Sequence, residues 1–285
     1  MALTSQLQKH VETLATSIGG RLATTGLEAA AKYVEGQLSS YGYRPQRQTF
    51  TAAGHTYANI EAETAGGGRD SERILAIGAH YDTAGNLPGA NDNASGVAAT
   101  LELARQFAGS KPRTKIRWLF FTNEEPPFFQ TPAMGSYVYA KRCRDRKEDI
   151  AAMLSLETIG YYTDKPGSQT YPIGIHPGYP DRGNFLGFVG DFKSALLLRT
   201  ALKVFRASVS LPAQGLAAPA SVPGVSWSDH WSFWQFGYKA LMLTDTAPFR
   251  YPYYHTAQDT PEKLDYPRFT DAVRGVARVV EQLSK

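Results

Sequence analysis

Histidine and carboxylate side chains recur at a few short places along the chain, and their types suit metal chemistry. They are His80 with Asp82, then Asp92 in the segment 89–96, then the pair Glu124 and Glu125, then Glu157, and finally His255 after Tyr254. This nitrogen and oxygen donor set, with no thiolate in it, fits zinc, cobalt or manganese. One carboxylate shared by two ions about 3.5–4 Å apart would make a two-metal hydrolytic site. A further carboxylate that binds no metal could act as the general base.

These groups lie at or after the ends of short apolar runs that are typical of buried strands. The runs cover residues 74–79, 116–121, 150–156 and 240–244. In a mostly parallel sheet, ligands bind beyond the carboxyl ends of the strands. Two adjacent carboxylates at the end of a buried strand, here Glu124 and Glu125, are costly without a compensating cation. Paired acids are also common on exposed surfaces, and Asp92 could be a helix cap, so the residues alone leave both interpretations open.

Helical segments alternate with these runs, which is typical of an α/β protein. Apolar spacing and chain position predict helices over residues 5–17, 25–38, 96–107, 134–142, 194–204 and 269–283. Alternation predicts a strand over 57–63 that pairs with 46–52, and a further strand is expected at 185–189. The expected fold is a three-layer α/β/α sandwich around a mixed, mostly parallel central sheet. All 285 residues are expected to form a single domain.

Composition excludes several other classes of protein. Hydrophobic residues make up 42% and charged residues 20%, which excludes a disordered chain, and a single cysteine excludes a disulfide scaffold or a cysteine-rich zinc module. The net charge is only +4 and the basic residues are scattered along the chain, so neither nucleic acid nor a membrane surface is an expected partner. The longest uncharged stretch, 207–228, contains three prolines and cannot span a membrane. Without a visible signal peptide the expected location is the cytoplasm, or outside the cell if a leader has been removed.

The order of the motifs resembles that of the co-catalytic dizinc exopeptidases of metallopeptidase family twenty-eight. The motifs are His-x-Asp at 80–82, Gly-Ala-x-Asp-x-x-Ser-Gly at 89–96, Glu-Glu at 124–125, an acid at 157 and Tyr-His-Thr-x-x-Asp-Thr at 254–260. The family includes bacterial leucine-type aminopeptidases, with the glutaminyl cyclases as close relatives. The resemblance covers about residues 74–283. It implies the zinc-exopeptidase (phosphorylase/hydrolase-like) fold, a peptide substrate and two zinc ions, with cobalt or manganese as possible substitutes.

The resemblance also assigns the metal ligands, residue by residue. His80 and Glu157 would complete one zinc site, and Glu125 and His255 would complete the other. Asp92 would bridge the two ions. The family often has a cis peptide bond after this bridging acid, so one is expected after Asp92.

Other matching residues would act around the metals. Asp82 would support His80, and Glu124 would be the general base that deprotonates the bridging water. Tyr254 would stabilise the oxyanion. Asp229 lies in a Ser-Asp-His motif whose acid is near the site in the family, and we expect it to take part in substrate binding.

Three features depart from the leucine-type aminopeptidases. Glu157 stands where those enzymes usually carry aspartate, which could shift how the substrate amine is anchored. The segment 126–134 is long, as it is in glutaminyl cyclases. Segment 207–228 is an insert rich in proline, alanine and serine, and we expect it to form a rim over the pocket, with a plain surface loop as the alternative.

These observations favour an aminopeptidase over three alternatives. The first alternative is a glutaminyl-peptide cyclotransferase, which has the same fold but one zinc ion and performs no hydrolysis. The second is a carboxypeptidase specificity, for which Arg250 beside several aromatic residues is the only basis. The third is a binding protein without activity, which would normally have lost ligands, whereas every ligand position here is filled. The oligomeric state and the preferred N-terminal residue stay open.

Overall fold

The structure, a computed structural model, describes residues 2–22, 24–67, 70–173, 175 and 178–285. Eight strands lie within these residues: β1 Gln46–Ala52, β2 His55–Thr64, β3 Ile74–His80, β4 Lys115–Phe121, β5 Ile150–Leu156, β6 Leu186–Gly190, β7 Ala213–Ala217 and β8 Ala240–Thr244. They form one mixed sheet in the order β1-β2-β4-β3-β5-β8-β6-β7. The antiparallel pairing of β1 with β2 confirms the hairpin that the alternation predicted.

Four neighbouring parallel strands, β4, β3, β5 and β8, make the centre of the sheet. All seven residues of β3 are buried, and so are all five of β8, because helices cover both faces. Continuous apolar runs are what such doubly covered strands require. Since the four strands run in the same direction, their carboxyl ends meet at one edge of the sheet. The groups that follow the four predicted runs are thereby brought together.

Helices lie on both faces of this sheet. They are α1 Leu3–Glu12, α2 Thr24–Ser40, α3 Gly96–Phe107, α4 Gly135–Asp145, α5 Ala195–Ser208, α6 His230–Gln235, α7 Ala247–Arg250 and α8 Tyr266–Leu283. Helices α1, α2, α3, α5 and α8 share one apolar cluster with the sheet, while α4 and α6 form a second cluster with it. The predicted three-layer fold is confirmed. Among the described residues, no helix combines the length and the hydrophobicity that crossing a membrane requires.

Strand β7 and helix α6 are among the elements that escaped the sequence-based prediction. Strand β7 lies inside the segment 207–228, which was expected to form a pocket rim or a surface loop, and pairs in parallel with β6 through its backbone. Its sequence, AQGLA, has neither β-branched residues nor clear alternation, so no local pattern announces it. Helix α6 spans only six residues, which is too short to show a helical period. Strand β7 depends on the edge of β6 with which it pairs, and α6 packs against α4 and the central strands β8 and β5.

Candidate metal centre

The predicted ligands converge at the carboxyl edge of the four central strands. His80 is the last residue of β3, and Glu157 directly follows β5. Glu125 follows the end of β4 by four residues. Asp92 comes from the loop that leads into α3, and His255 from the loop after α7. Five residues from five separate parts of the chain therefore share one location.

The ligand atoms form two groups of three that have Asp92 in common. In the first group, His80 Nε2 lies 3.2 Å from Asp92 Oδ1 and 3.2 Å from Glu157 Oε2. In the second group, His255 Nε2 lies 3.0 Å from Asp92 Oδ2 and 3.2 Å from Glu125 Oε1. Within each group all three atoms lie within 4.8 Å of one another. Each oxygen of Asp92 thus faces a different group, as a bridging carboxylate requires.

The unmatched polar atoms of these residues fit a pair of cations. Both ring nitrogens of His80, together with Asp92 Oδ1 and Glu125 Oε1, are buried without a hydrogen-bond partner. Buried polar atoms are rarely left in this state, because each one loses its hydration without compensation. Imidazole nitrogens and carboxylate oxygens are ligands that zinc accepts. The residues present therefore fit zinc.

The electrostatics of the cluster favour a cation in the same way. Burial raises the pKa of Glu125 to about 7, and it also raises the pKa of Glu157. Burial alone would raise the pKa of Asp92 too, but the adjacent imidazoles of His255 and His80 outweigh it and keep that pKa below its ordinary value. For His255, Asp92 and Glu125 outweigh burial and raise the pKa to about 10. The centre without cations therefore retains protons that metal binding must displace.

Neighbouring groups hold the ligands in place. Asp82 Oδ1 lies 3.5 Å from His80 Nδ1, and Asp82 Oδ2 accepts a hydrogen bond from the Glu125 amide at 3.1 Å. Asp82 thus contacts a residue of each group, beyond the support of His80 that the resemblance implied. Ser228 donates to Glu157 Oε2 at 2.9 Å, a contact that the sequence did not single out. The expected cis peptide bond after Asp92 is present.

Comparison with known proteins agrees with this geometry. The sequence matches the profile described as Peptidase family M28 over residues 59–280. The chain belongs to peptidase family M28. This membership confirms the predicted zinc metallopeptidase and the family to which the motifs pointed.

Individual relatives of this M28 peptidase cover its whole length. It is 37% identical over 282 residues to the uncharacterised protein YfbL of Escherichia coli, covering 95% of this chain and 85% of that one. Its fold is similar to that of BSAP, a zinc aminopeptidase from Bacillus subtilis, with a TM-score of 0.78 and 15% identity over 99% of this chain and 95% of that one. A glutaminyl cyclase from Fimbriiglobus ruber is similar as well, with a TM-score of 0.74 and 18% identity over 99% of this chain and 95% of that one. Of several other curated relatives the chain spans only 18% to 50%.

Two further side chains of the M28 peptidase lie beside the ligands. Glu124 is buried and belongs to neither group, and its Oε2 lies 3.9 Å from His80 Nε2. Burial raises the pKa of Glu124 well above its ordinary value, with Glu157 adding to the effect and His80 opposing it. The ring of Tyr254 stacks on that of His255, with 3.9 Å between the ring centroids and 17° between the planes. A carboxyl group and a phenol are therefore present near the ligands without being needed to hold metal.

A cavity of about 90 Å³ opens beside the centre. Glu157 and Tyr254 form its end nearest the ligands, and the rest of its wall is mostly apolar and aromatic. Segment 207–228 contributes to this wall, and so does the loop before β6. The apolar and aromatic residues of the whole wall include Tyr171, Phe185, Phe188, Leu216, Val225, Trp227, Met242 and Phe249. An open, mostly apolar cavity thus lies directly next to the ligands.

Two residues predicted to bind substrate, Asp229 and Arg250, are buried. Neither Asp229 nor Arg250 is among the described residues that line the cavity. Asp229 is fully buried with both carboxylate oxygens unpartnered, and burial raises its pKa to about 7. Arg250 donates from Nε to Gln169 Oε1 at 2.8 Å and from Nη1 to the Phe185 carbonyl at 2.9 Å. Since Gln169 and Phe185 do line the cavity, Arg250 supports the wall and can act on a ligand there only through them.

Proposed function

We propose that this M28 peptidase is a dizinc aminopeptidase that removes single residues from the N-terminus of peptides. The observation that carries the proposal is the pair of three-residue groups sharing Asp92, with Glu124 beside them and an apolar cavity at their edge. A centre for one ion would need only one of the two groups. The second group, formed by Asp92, Glu125 and His255, is complete.

The chemistry divides between the ions and the chain. When bound, two zinc ions supply Lewis acidity, which lowers the pKa of a water molecule and polarises the scissile carbonyl. Glu124 then takes the proton of the attacking water and passes it to the amine that leaves. The hydroxyl of Tyr254 donates a hydrogen bond to the negative charge that develops on the carbonyl oxygen. Both side chains lie close to the ligands without being part of either group, which leaves them free for these roles.

The cavity supports a preference for apolar N-terminal side chains. A peptide whose first carbonyl lies at the metal centre places its first side chain only a few bonds away, at the end of the cavity formed by Glu157 and Tyr254. The apolar and aromatic wall would leave a charged side chain without hydration or a partner. Leucine and aromatic residues are therefore the expected first residues, while aspartate and lysine are disfavoured.

A glutaminyl cyclotransferase is the second candidate function, and one observation favours it. The long segment 126–134 reaches segment 207–228, where Gln130 donates through Nε2 to the Ser226 carbonyl at 2.8 Å. A segment of this length is a feature that glutaminyl cyclases share, and the similar structures include such enzymes. A carboxypeptidase is not proposed, because Arg250, its only basis, is bound to Gln169 and Phe185 behind the wall.

Metal content and two activities, measured on the same preparation, separate these functions. We expect two zinc ions per chain and hydrolysis of leucine p-nitroanilide that chelation abolishes and zinc restores. No ammonia should be released from a peptide with N-terminal glutamine. One zinc ion, no hydrolysis and release of ammonia would replace the aminopeptidase by the cyclotransferase. A protein that binds no zinc would refute both functions.

A further inference from the structure

The loop that carries Asp92 is held from one side by a buried cation. Arg21 is fully buried, and among the described residues all five hydrogen bonds of its guanidinium end on carbonyl oxygens. Three of these carbonyls belong to the loop that joins β3 to α3, one to the helical segment Thr13–Ile18 and one to the residues between that segment and Arg21. They are Tyr81 at 2.8 Å, Pro88 at 2.8 Å, Gly89 at 2.9 Å, Leu14 at 3.0 Å and Gly19 at 3.1 Å.

The same loop is held from its other side by a buried anion. Asp259 accepts hydrogen bonds from the amide of Asn91 at 2.8 Å and from the amide of Asp92 at 3.0 Å. Its own carbonyl accepts from the amide of Ala90 at 3.1 Å. The hydroxyl of Tyr251 donates to the same carboxylate at 2.9 Å. Asp259 belongs to the motif at 254–260, in which the family resemblance gave it no role.

The two charges match the polarity of the backbone between them. Carbonyls of residues 88 and 89 meet the cation, and amides of residues 90 to 92 meet Asp259. The packing is close, since a Cβ at Gly89 would lie 2.3 Å from the Asp92 carbonyl oxygen and 2.9 Å from Arg21 Nη2. Gly89 also has a φ of +58°, in the left-handed region that favours glycine. This stretch of backbone is therefore restrained on both sides up to Asp92 itself.

We propose that Arg21 and Asp259 are positioning residues that hold the Asp92 carboxylate between the two metal groups. The inference rests on the proposed dizinc centre. Asp92 must keep one oxygen 3.2 Å from His80 and the other 3.0 Å from His255, so a shift of its backbone toward one group moves it away from the other. Loss of either positioning residue should weaken the binding of both ions together, because Asp92 is the only ligand that they share.

Arg21 also supplies the centre with a positive charge. Burial lowers its pKa to about 10, and the nearby acids Asp259, Asp82, Asp92 and Glu125 counteract this. Three of these four acids belong to the metal centre or support it. A neutral side chain of similar size would fill the space but would leave the carbonyls without donors and the acids without this charge.

The test measures zinc binding by the full-length chain after chelation, in competition with a chromophoric zinc chelator. In Asp259→Asn the amide nitrogen cannot accept a hydrogen bond, so one of the two backbone amides loses its partner. We expect the affinity for both ions to fall about 10–100-fold, the range for groups that orient metal ligands. The matched control is Asp265→Asn, because Asp265 caps α8 by accepting from the Arg268 amide at 3.1 Å, and asparagine caps a helix equally well. The control should bind zinc like the wild type.

A second pair of variants guards against loss of folding. Arg21→Lys keeps the charge but cannot reach carbonyls on both sides, and Arg117→Lys makes the same change at another buried arginine, which pairs with Glu63 and Glu148. Urea unfolding of the chelated proteins reports their stability without metal. We expect Arg21→Lys to bind zinc more weakly than the wild type does. Arg117→Lys should bind zinc with the affinity of the wild type.

The outcomes distinguish this inference from the function on which it rests. If the wild type binds two zinc ions and Asp259→Asn binds them equally well, the inference is wrong and the dizinc centre stands. Equal loss of affinity in Asp259→Asn and Asp265→Asn would also overturn it, since the effect would then be one of general stability. A wild type that binds fewer than two zinc ions would refute the dizinc centre itself, and the inference with it.

Discussion

Replacing each of two adjacent glutamates by glutamine tests how the centre divides metal binding from proton transfer. Glu124 and Glu125 are neighbours in the chain, and both are buried. Only Glu125 belongs to a metal group, with its Oε1 3.2 Å from His255 Nε2, whereas the Oε2 of Glu124 lies 3.9 Å from His80 Nε2. The same substitution at the two positions should therefore give opposite results for metal content.

Glu124→Gln should keep two zinc ions and lose most of its turnover. Glutamine has the same shape but cannot accept a proton, and a positioned general base contributes about 10²–10⁴-fold to a rate. This range corresponds to about 3–5 kcal/mol of activation free energy. The value of KM for leucine p-nitroanilide should stay near that of the wild type, because Glu124 is not among the described residues that line the cavity. Metal analysis after dialysis measures the zinc content, and steady-state kinetics measure kcat and KM.

Glu125→Gln is the matched comparison. It removes a charged ligand from a group of three, so the ion shared by Asp92, Glu125 and His255 should be lost on dialysis. The loss should exceed the roughly 10–100-fold weakening expected for a group that only supports a ligand. If Glu124→Gln retained kcat within about 10-fold of the wild type, Glu124 would not be the base. If it lost zinc as Glu125→Gln should, the assignment of the two roles would be wrong.

Three further predictions concern the cavity, a buried acid and the packing of two helices. Trp227→Ala removes a cavity-lining ring, so kcat/KM for leucine p-nitroanilide should fall about 10-fold through a higher KM, while kcat/KM for alanine p-nitroanilide should change little. Equal losses for the two substrates would show that the cavity does not bind the side chain of the first residue. Burial raises the pKa of Asp229 to about 7, so the stability that its protonated form contributes is complete below about pH 4 and is lost as the pH rises through 7. The free energy of unfolding of the chelated protein, measured by urea titration, should therefore fall between pH 5 and 8. Asp229→Asn should remove about 3 kcal/mol of that fall. If the free energy of unfolding changed with pH in the variant as it does in the wild type, this prediction would be wrong. In Gly275→Ala the new Cβ would lie 2.3 Å from the Phe205 ring, so the variant should lose about 1–3 kcal/mol. Gly36→Ala in α2, with nothing within 4 Å, should gain about 0.5–1 kcal/mol, and thermal unfolding that ranked the two variants the other way would refute the packing argument.

The central sheet and the residues that converge as candidate ligands could be predicted from the sequence because their signals are local. A buried parallel strand needs a continuous apolar run, and the runs that became β3, β4, β5 and β8 were visible as such. His80 and Glu157 lie at the ends of two of these strands, so the direction of the strands already places them at one edge. The cis peptide bond after Asp92 was expected from the motif and is present.

Other features are decided only by contacts between distant parts of the chain. Strand β7 carries no local strand pattern, and it forms because β6 offers an unpaired edge. Arg250 looked like a residue for substrate binding from its aromatic neighbours, but Gln169, about eighty positions earlier, holds it behind the cavity wall. The sequence likewise gives no sign that Arg21 and Asp259 hold the same loop from opposite sides.

The physical reason lies in what each signal depends on. Residue type and periodicity determine which side chains can bind a metal and which segments must be buried, since both follow from the chemistry of single residues and their near neighbours. The two-group geometry around Asp92 depends on distances of about 3 Å between atoms that are up to 163 residues apart in the chain. Such distances are set by how the helices and loops pack on the sheet, and only the tertiary structure contains that information.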